Sequence, residues 1–248
     1  MANKRATIVI VHGAWVGGWR WRNVADLLRD RGHYVFTPTL TGLGERAHLT
    51  TRDVNLSLHA QDIANVIRYE ELDNILLVGH SYGGAVIGGA ARGHSRVQAL
   101  VYLNAFVPEQ GETILDLAGH AGPVDPSALF DMAPFPGDHN VDLYLQPGAF
   151  AGGFVNGLPE DLAAIFFAKQ RPITYAALSE PARPQAWKTL PSWYVAGTED
   201  HSIPFETQLW MAERAGSTLT TVTTGHLSMA GEPETVARII TEAANATK

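Results

Sequence analysis

Ile8-Val-Ile-Val11 and Ile75-Leu-Leu-Val78 are continuous apolar runs, and they constrain this chain more than any other feature. A strand with one face in water alternates apolar and polar residues. A strand that is apolar at every position is covered on both faces. Further short runs, at Tyr34–Thr37, Val97–Leu103, Trp193–Ala196 and Leu219–Val222, also read as strands. Between them lie helical patterns: Trp21–Arg31 closed by Gly32, then Leu58–Tyr69, Ala85–Arg92 and Thr235–Ala246. Strands alternating with helices imply an α/β fold with a mostly parallel six-stranded sheet and helices on both faces.

Residues 107–188 break this rhythm. The stretch is rich in Pro and Gly and carries Phe130, Phe135, Phe150, Phe154, Phe166, Phe167 and Trp187. No clear strand is legible in it. The expectation is a mostly helical cap over the carboxyl edge of the sheet, inserted between core segments 1–106 and 189–248. A chain of 248 residues suffices for one such domain with a large core. Its formal net charge of -7, with no long basic run, argues against nucleic acid or an anionic membrane surface as partner. There is no Cys, so thiol chemistry and Cys-based metal sites are excluded. No stretch approaches the roughly 18 to 20 apolar residues of a membrane helix, which makes a soluble cytoplasmic protein the default. Oligomeric state stays open, with a homodimer as the default.

Gly79-His-Ser-Tyr-Gly83 fits G-x-S-x-G. The pattern alone is weak, but here it directly follows a strand and precedes a helix. That is the setting of a nucleophile elbow, with Ser81 as nucleophile. Small residues must flank the strained serine, and Gly79 and Gly83 supply them. An attacking serine needs backbone donors for the charge that develops on the carbonyl oxygen. One is the N–H of Tyr82, the residue after the nucleophile. The other is assigned to Ala14, in the Gly-rich loop that follows the first strand. His12 and His80 read as braces of this loop rather than as chemical groups.

In such a fold the order along the chain is Ser, acid, His. Five His follow Ser81: His94, His120, His139, His201 and His226. His226 follows the last strand, which places it at the same sheet edge as Ser81, and it is the expected base. The acid belongs after the preceding strand. Asp200 is the choice there over its neighbour Glu199, because its side chain is shorter and it lies just before Ile203-Pro204. Asp62 and Asp73 read as structural.

These residues resemble the plant-type hydroxynitrile lyase and methylesterase branch of the α/β-hydrolases, with its bacterial esterase relatives. The likeness runs over nearly the whole chain. It is carried by Val11-His-Gly-Ala-Trp-Val-Gly-Gly-Trp19, Leu40-Thr-Gly-Leu-Gly-Glu-Arg46, Leu76-Leu-Val-Gly-His-Ser-Tyr-Gly-Gly84, Leu103-Asn-Ala-Phe-Val-Pro108, Glu199-Asp200, Gln208-Leu-Trp-Met211 and Gly225-His226. The resemblance implies Ser81, Asp200 and His226 as a triad, Ala14 and Tyr82 as oxyanion donors, and a helical cap over a buried pocket. It is weakest in the insertion, which sets the substrate. The lyases of that branch carry a Lys directly after the catalytic His and a Thr two residues after the first strand. Here the positions hold Leu227 and Gly13.

The expected function is therefore carboxylic-ester hydrolysis through an acyl-enzyme, on a small to medium apolar or aromatic ester, without cofactor or metal. C–C lyase chemistry on the same triad, cofactor-free oxygenation, and a non-catalytic ligand receptor are the alternatives. The sequence from Thr223 to Glu234 has no Lys or Arg to serve a lyase, though a long side chain from the insertion, such as Lys169 or Arg171, could reach in.

Overall fold

A computed structural model describes residues 5–135 and 140–247. Its strands, in chain order, are β1 (Thr7–Val11), β2 (Tyr34–Phe36), β3 (Ile75–His80), β4 (Val97–Leu103), β5 (Phe130–Pro134), β6 (Val141–Leu145), β7 (Ile173–Thr174), β8 (Ser192–Gly197) and β9 (Thr218–Val222). Six of them form one parallel sheet in the order β2-β1-β3-β4-β8-β9. The chain leaves β1 toward β2 on one side and then returns to build β3 on the other. The loops after β1 and β3 therefore diverge at a topological switch point, the place in such sheets where a crevice opens at the carboxyl edge.

The central strands of the sheet are buried on both sides, as their unbroken apolar runs require, while the edge strands β2 and β9 are partly exposed. Val9, Val11, Leu77, Leu100 and Tyr102 pack with Ile63 and Ile67 of helix Leu56–Tyr69, Val86 and Ile87 of helix Gly83–Ala90, and Met211 of helix Phe205–Arg214. Their neighbours Ile8, Ile10, Leu76, Val78 and Val101 point the other way. Those residues pack with Val24 and Leu28 of helix Arg22–Asp30 and with Val236 and Ile240 of helix Pro233–Ala246. Helix Leu56–Tyr69 starts two residues before the sequence pattern suggests, because the Asn55 side chain caps it by accepting from the Leu58 N–H at 2.8 Å. Helix Phe205–Arg214 was not expected from the sequence.

The segment between β4 and β8 corrects one expectation. Besides short helices it contains a three-stranded antiparallel sheet, β5-β6-β7, with Leu143 paired to both Met132 and Ile173. The reasons it escaped the sequence reading are local. The edge strand β5 is largely exposed and ends in Pro134, which cannot donate to a ladder. β7 has only two residues. β6 alone shows the period of two, with Leu143 and Leu145 buried.

The elbow between β3 and helix Gly83–Ala90 is packed main chain against main chain. A Cβ at Gly84 would stand 2.4 Å from the Phe106 carbonyl oxygen, and one at Gly83 would stand 2.6 Å from that of Val11. Gly84→Ala is therefore expected to destabilise the fold by about 1–3 kcal/mol, read as a fall in Tm of a few degrees. Gly148→Ala, where a Cβ meets nothing within 4 Å, should stay within roughly 0.5 kcal/mol. Equal melting of the two variants would contradict the packing described here.

Candidate active site

Ser81 follows the last residue of β3 and has φ +52, in the left-handed region that side chains other than Gly rarely adopt. Contacts on all sides hold it there. Its N–H donates to the carbonyl oxygens of Leu103 (3.3 Å) and Asn104 (3.1 Å) at the end of β4. Its own carbonyl accepts from Gly84 (3.0 Å) and Phe106 (3.1 Å). The hydroxyl-bearing carbon is thereby lifted to the sheet edge, where Ser81 is only 4% exposed.

Asp200, on the loop after β8, faces His226, on the loop after β9. The His226 Nδ1–H donates to Asp200 Oδ2 at 2.9 Å, and both side chains are buried. This fixes the tautomer and leaves Nε2 of the imidazole free to accept a proton. Asp200 is held by four further donors. Asn104 Nδ2 (3.0 Å) and Gln208 Nε2 (3.1 Å) donate to Oδ2, and the backbone N–H groups of Ser202 (2.8 Å) and Ile203 (2.9 Å) donate to Oδ1. Glu199 is exposed and contributes main chain instead: its carbonyl accepts from Asn156 Nδ2 at 2.7 Å.

Ala14, Ser81, Tyr82 and His226 all line one cavity of about 500 Å³. Among the described residues, the backbone N–H groups of Ala14 and Tyr82 have no acceptor. The Tyr82 ring is anchored from behind. Its hydroxyl donates to His59 Nδ1 at 2.8 Å, and His59 Nε2–H donates to the Thr41 carbonyl at 2.8 Å. Trp15, at φ +64, ties the loop after β1 to the insertion. Its Nε1–H donates to the Leu143 carbonyl at 2.9 Å, and its own carbonyl accepts from the Arg171 N–H at 3.0 Å. A Cβ at Gly13 would come within 3.0 Å of Ser81 Cβ and of His80 Nδ1, so a larger residue there would crowd the serine.

The five expected site residues thus meet in one place. The other histidines that follow Ser81 have different surroundings. His201 stands at the cavity wall with its Nδ1–H on the Gly152 carbonyl at 3.1 Å. His120 stacks on Trp210, with ring centroids 3.8 Å apart. His94 lies on a groove beside helix Gly83–Ala90, away from the cavity. His139 falls outside the described residues. Asp62 is structural, accepting from the Thr41 N–H (2.7 Å) and hydroxyl (3.0 Å). Lys169 caps the face of Trp19, and Arg171 binds the Gln170 carbonyl, so neither insertion cation lines the cavity.

Four supporting residues had no assigned role in the sequence reading: Asn104, Gln208, Ser228 and Arg20. Asn104, fully buried, donates to Asp200 and accepts from the Ser228 hydroxyl. A lone polar residue closing the apolar strand Val97–Leu103 was a legible sign. So was Gln208, a polar residue one helical turn before Met211 on the buried face of its helix. Arg20 left no sign, since an arginine in a loop reads as solvated.

Two other buried histidines, His12 and His80, are neutral braces. His12 donates from Nδ1 to the Gly13 carbonyl (2.7 Å) and accepts at Nε2 from the Leu40 N–H (3.0 Å). Burial pushes its pKa down to about 4. His80 Nε2–H donates to the His226 carbonyl at 2.9 Å, and burial, then the neighbouring His226, hold its pKa well below the ordinary value. A folded pKa below the unfolded one means that the unfolded chain takes up the proton first as pH falls. Stability is therefore full above about pH 6.5 and is lost as pH drops toward about 4, with His12 alone removing roughly 2 kcal/mol by pH 5. Thermal melts should fall by at least about 4 °C between pH 7.5 and pH 5, and His12→Asn should flatten that slope. A flat profile for the native chain would contradict this account.

Comparison with known proteins agrees with this architecture. A family model described as alpha/beta hydrolase family matches residues 8–239. The carbendazim hydrolyzing esterase of Nocardioides sp. is 52% identical over 126 residues, a match that spans about half of each chain (50% of this one, 52% of that one). Salicylic acid-binding protein 2 of Nicotiana tabacum is 26% identical over 250 residues, 96% of both chains. Among solved structures, polyneuridine aldehyde esterase superposes with a TM-score of 0.85 at 20% identity, covering 97% of this chain and 100% of that one, a likeness of fold. With a match from β1 to the last helix and a fold shared end to end, the chain belongs to the alpha/beta hydrolase family.

Proposed function

We propose that this protein hydrolyses carboxylic esters, with Ser81 as nucleophile, His226 as general base and acid, and Asp200 as the group that orients the imidazole. The observation that carries the reading is the buried Asp200–His226 bond, with His226 and a left-handed Ser81 lining one largely apolar cavity. Ser81 Oγ attacks the ester carbonyl while His226 Nε2 takes its proton. The carbonyl oxygen, now negative, accepts from the N–H groups of Ala14 and Tyr82. Collapse expels the alcohol, which takes the proton from His226. Water, deprotonated by the same imidazole, then releases the acid from the acyl-enzyme. Relatives named as esterase or hydrolase, including a methylesterase of Arabidopsis thaliana and a pyrethroid hydrolase of Sphingobium wenxiniae, support the reaction class.

The cavity wall supports an apolar or aromatic ester. Among the described residues it is built largely from Trp15, Phe106, Phe130, Phe154 and aliphatic side chains, with Asp125, His201 and Ser202 also on it, and it carries no Lys or Arg. Cyanohydrin cleavage is disfavoured by the same wall. Leu227, directly after His226, is buried and apolar, so that position supplies no cation to balance an expelled cyanide.

Ser81→Ala should lower ester kcat by roughly 10⁴- to 10⁶-fold with the fold intact, and a serine-directed phosphonate should label Ser81 alone. A variant keeping a tenth of the activity would sink the assignment. Asp200→Asn should cost on the order of 10²- to 10⁴-fold in kcat, and Glu199→Gln less than about tenfold. If the two rank the other way, Glu199 is the acid. Short aryl esters should be turned over and mandelonitrile should not be cleaved above the buffer rate; the reverse result would identify a lyase.

A further inference from the structure

Arg20 follows the loop after β1 and is only 7% exposed. Among the described residues, Nε and both terminal nitrogens of its guanidinium have no hydrogen-bond partner. Taking such a group out of water without a carboxylate or carbonyl to receive it is costly, and burial pushes its pKa down to about 9. A site that needed only filling would carry an apolar side chain of this size.

What surrounds the guanidinium is aromatic. Its Cζ stands 3.4 Å from the Phe166 ring centroid, 5.6 Å from that of Trp19 and 5.8 Å from that of Phe154. Phe166 is the buried residue of helix Glu160–Ala168, and Phe154 ends the wide helical turn Phe150–Phe154. Two separate pieces of the insertion therefore meet on one core cation. Phe154 continues inward. Its ring lies 5.4 Å from that of His226 and edge-on to Trp15 at 5.7 Å, and it lines the cavity. A cation is drawn to the face of a ring, which is a directional attraction, whereas an apolar filler would hold either ring in any orientation.

We propose that Arg20 is a positioning residue: its guanidinium, held between Phe166 and Phe154, fixes Phe154 against the His226 ring and so sets where the imidazole stands relative to Ser81. The proposal rests on the reading of Ser81 and His226 as nucleophile and base. It separates stability from activity, because relieving a buried unpaired charge leaves a protein at least as stable, while a loosened imidazole slows the chemical step.

The test uses R20M, R20K, F154L and the R20M/F154L double variant on a short aryl ester, with melting curves for each. R20M should melt no lower than the wild type. Its kcat should fall roughly tenfold, with KM changing less than about threefold. R20K, which keeps a cation, should stay within about threefold of wild-type kcat. F154L should lose about as much as R20M, and the double variant should lose no more than the worse single variant, because both act through one contact. Unchanged kcat in R20M, a lower melting point in R20M, or losses that multiply in the double variant would each overturn the proposal. If the wild type turns over no ester, the ester reading fails by itself. Arg20 is then judged by the rate of phosphonate labelling at Ser81, which R20M should slow roughly tenfold. An unslowed rate overturns the proposal, and no labelling of the wild type overturns both readings.

Discussion

The left-handed backbone of Ser81 is the constraint from which the rest of the site follows. A serine at φ +52 sits in a conformation that costs of the order of 1–3 kcal/mol and persists only where the surroundings insist on it. Here they insist through four main-chain hydrogen bonds to the end of β4, the loop after it and the start of the next helix. The glycines at 79, 83 and 84 let that helix sit closer to strands and loops than any side chain allows. Relaxing the serine would break contacts on both sides of the sheet edge, so the strain is spread over the parallel core rather than held by the turn itself.

Asn104 transmits that constraint sideways. It too has a positive φ, of 44°. Its carbonyl receives the Ser81 N–H, its amide holds Asp200, and its side-chain oxygen receives the hydroxyl of Ser228, two residues after His226. One buried residue thus touches the surroundings of all three members of the proposed triad. Gly197 makes room for it, since a Cβ there would stand 2.4 Å from the Asn104 amide nitrogen. Asp200 and His226 are registered to Ser81 through a common partner, and not only through each other.

How much of this the sequence discloses depends on the range of the signal. Short, dense signals were legible. These include the buried strands, the strand–turn–helix around Ser81, and the positions of Asp200 and His226 on loops after the fifth and sixth core strands. Signals that exist only in three dimensions were not. The β5-β6-β7 sheet hid behind Pro134 and a two-residue strand, and its only periodic member, Val141–Leu145, is too short to outweigh its Pro- and Gly-rich flanks. Arg20 was unreadable for a different reason. A cation is assigned to solvent until the rings that bury it, from residues more than a hundred positions away, are known. Asn104 and Gln208 stand between these cases, visible as polar residues in apolar company but without a partner that spacing alone could name.

The tie between Trp15 and the insertion has one more consequence. The indole donates to the main-chain carbonyl of Leu143, not to its side chain, and the return bond runs from the main-chain N–H of Arg171. Every residue has a main-chain carbonyl and every residue but proline an N–H, so these bonds leave position 143 open and exclude only proline from position 171. The insertion can drift in composition, and the shape of the cavity with it, while the loop carrying Ala14 keeps its anchor. Variation in what is recognised is thereby uncoupled from variation in how the reacting carbonyl would be held, which gives the fold a heritable route to new substrates that leaves its chemistry in place.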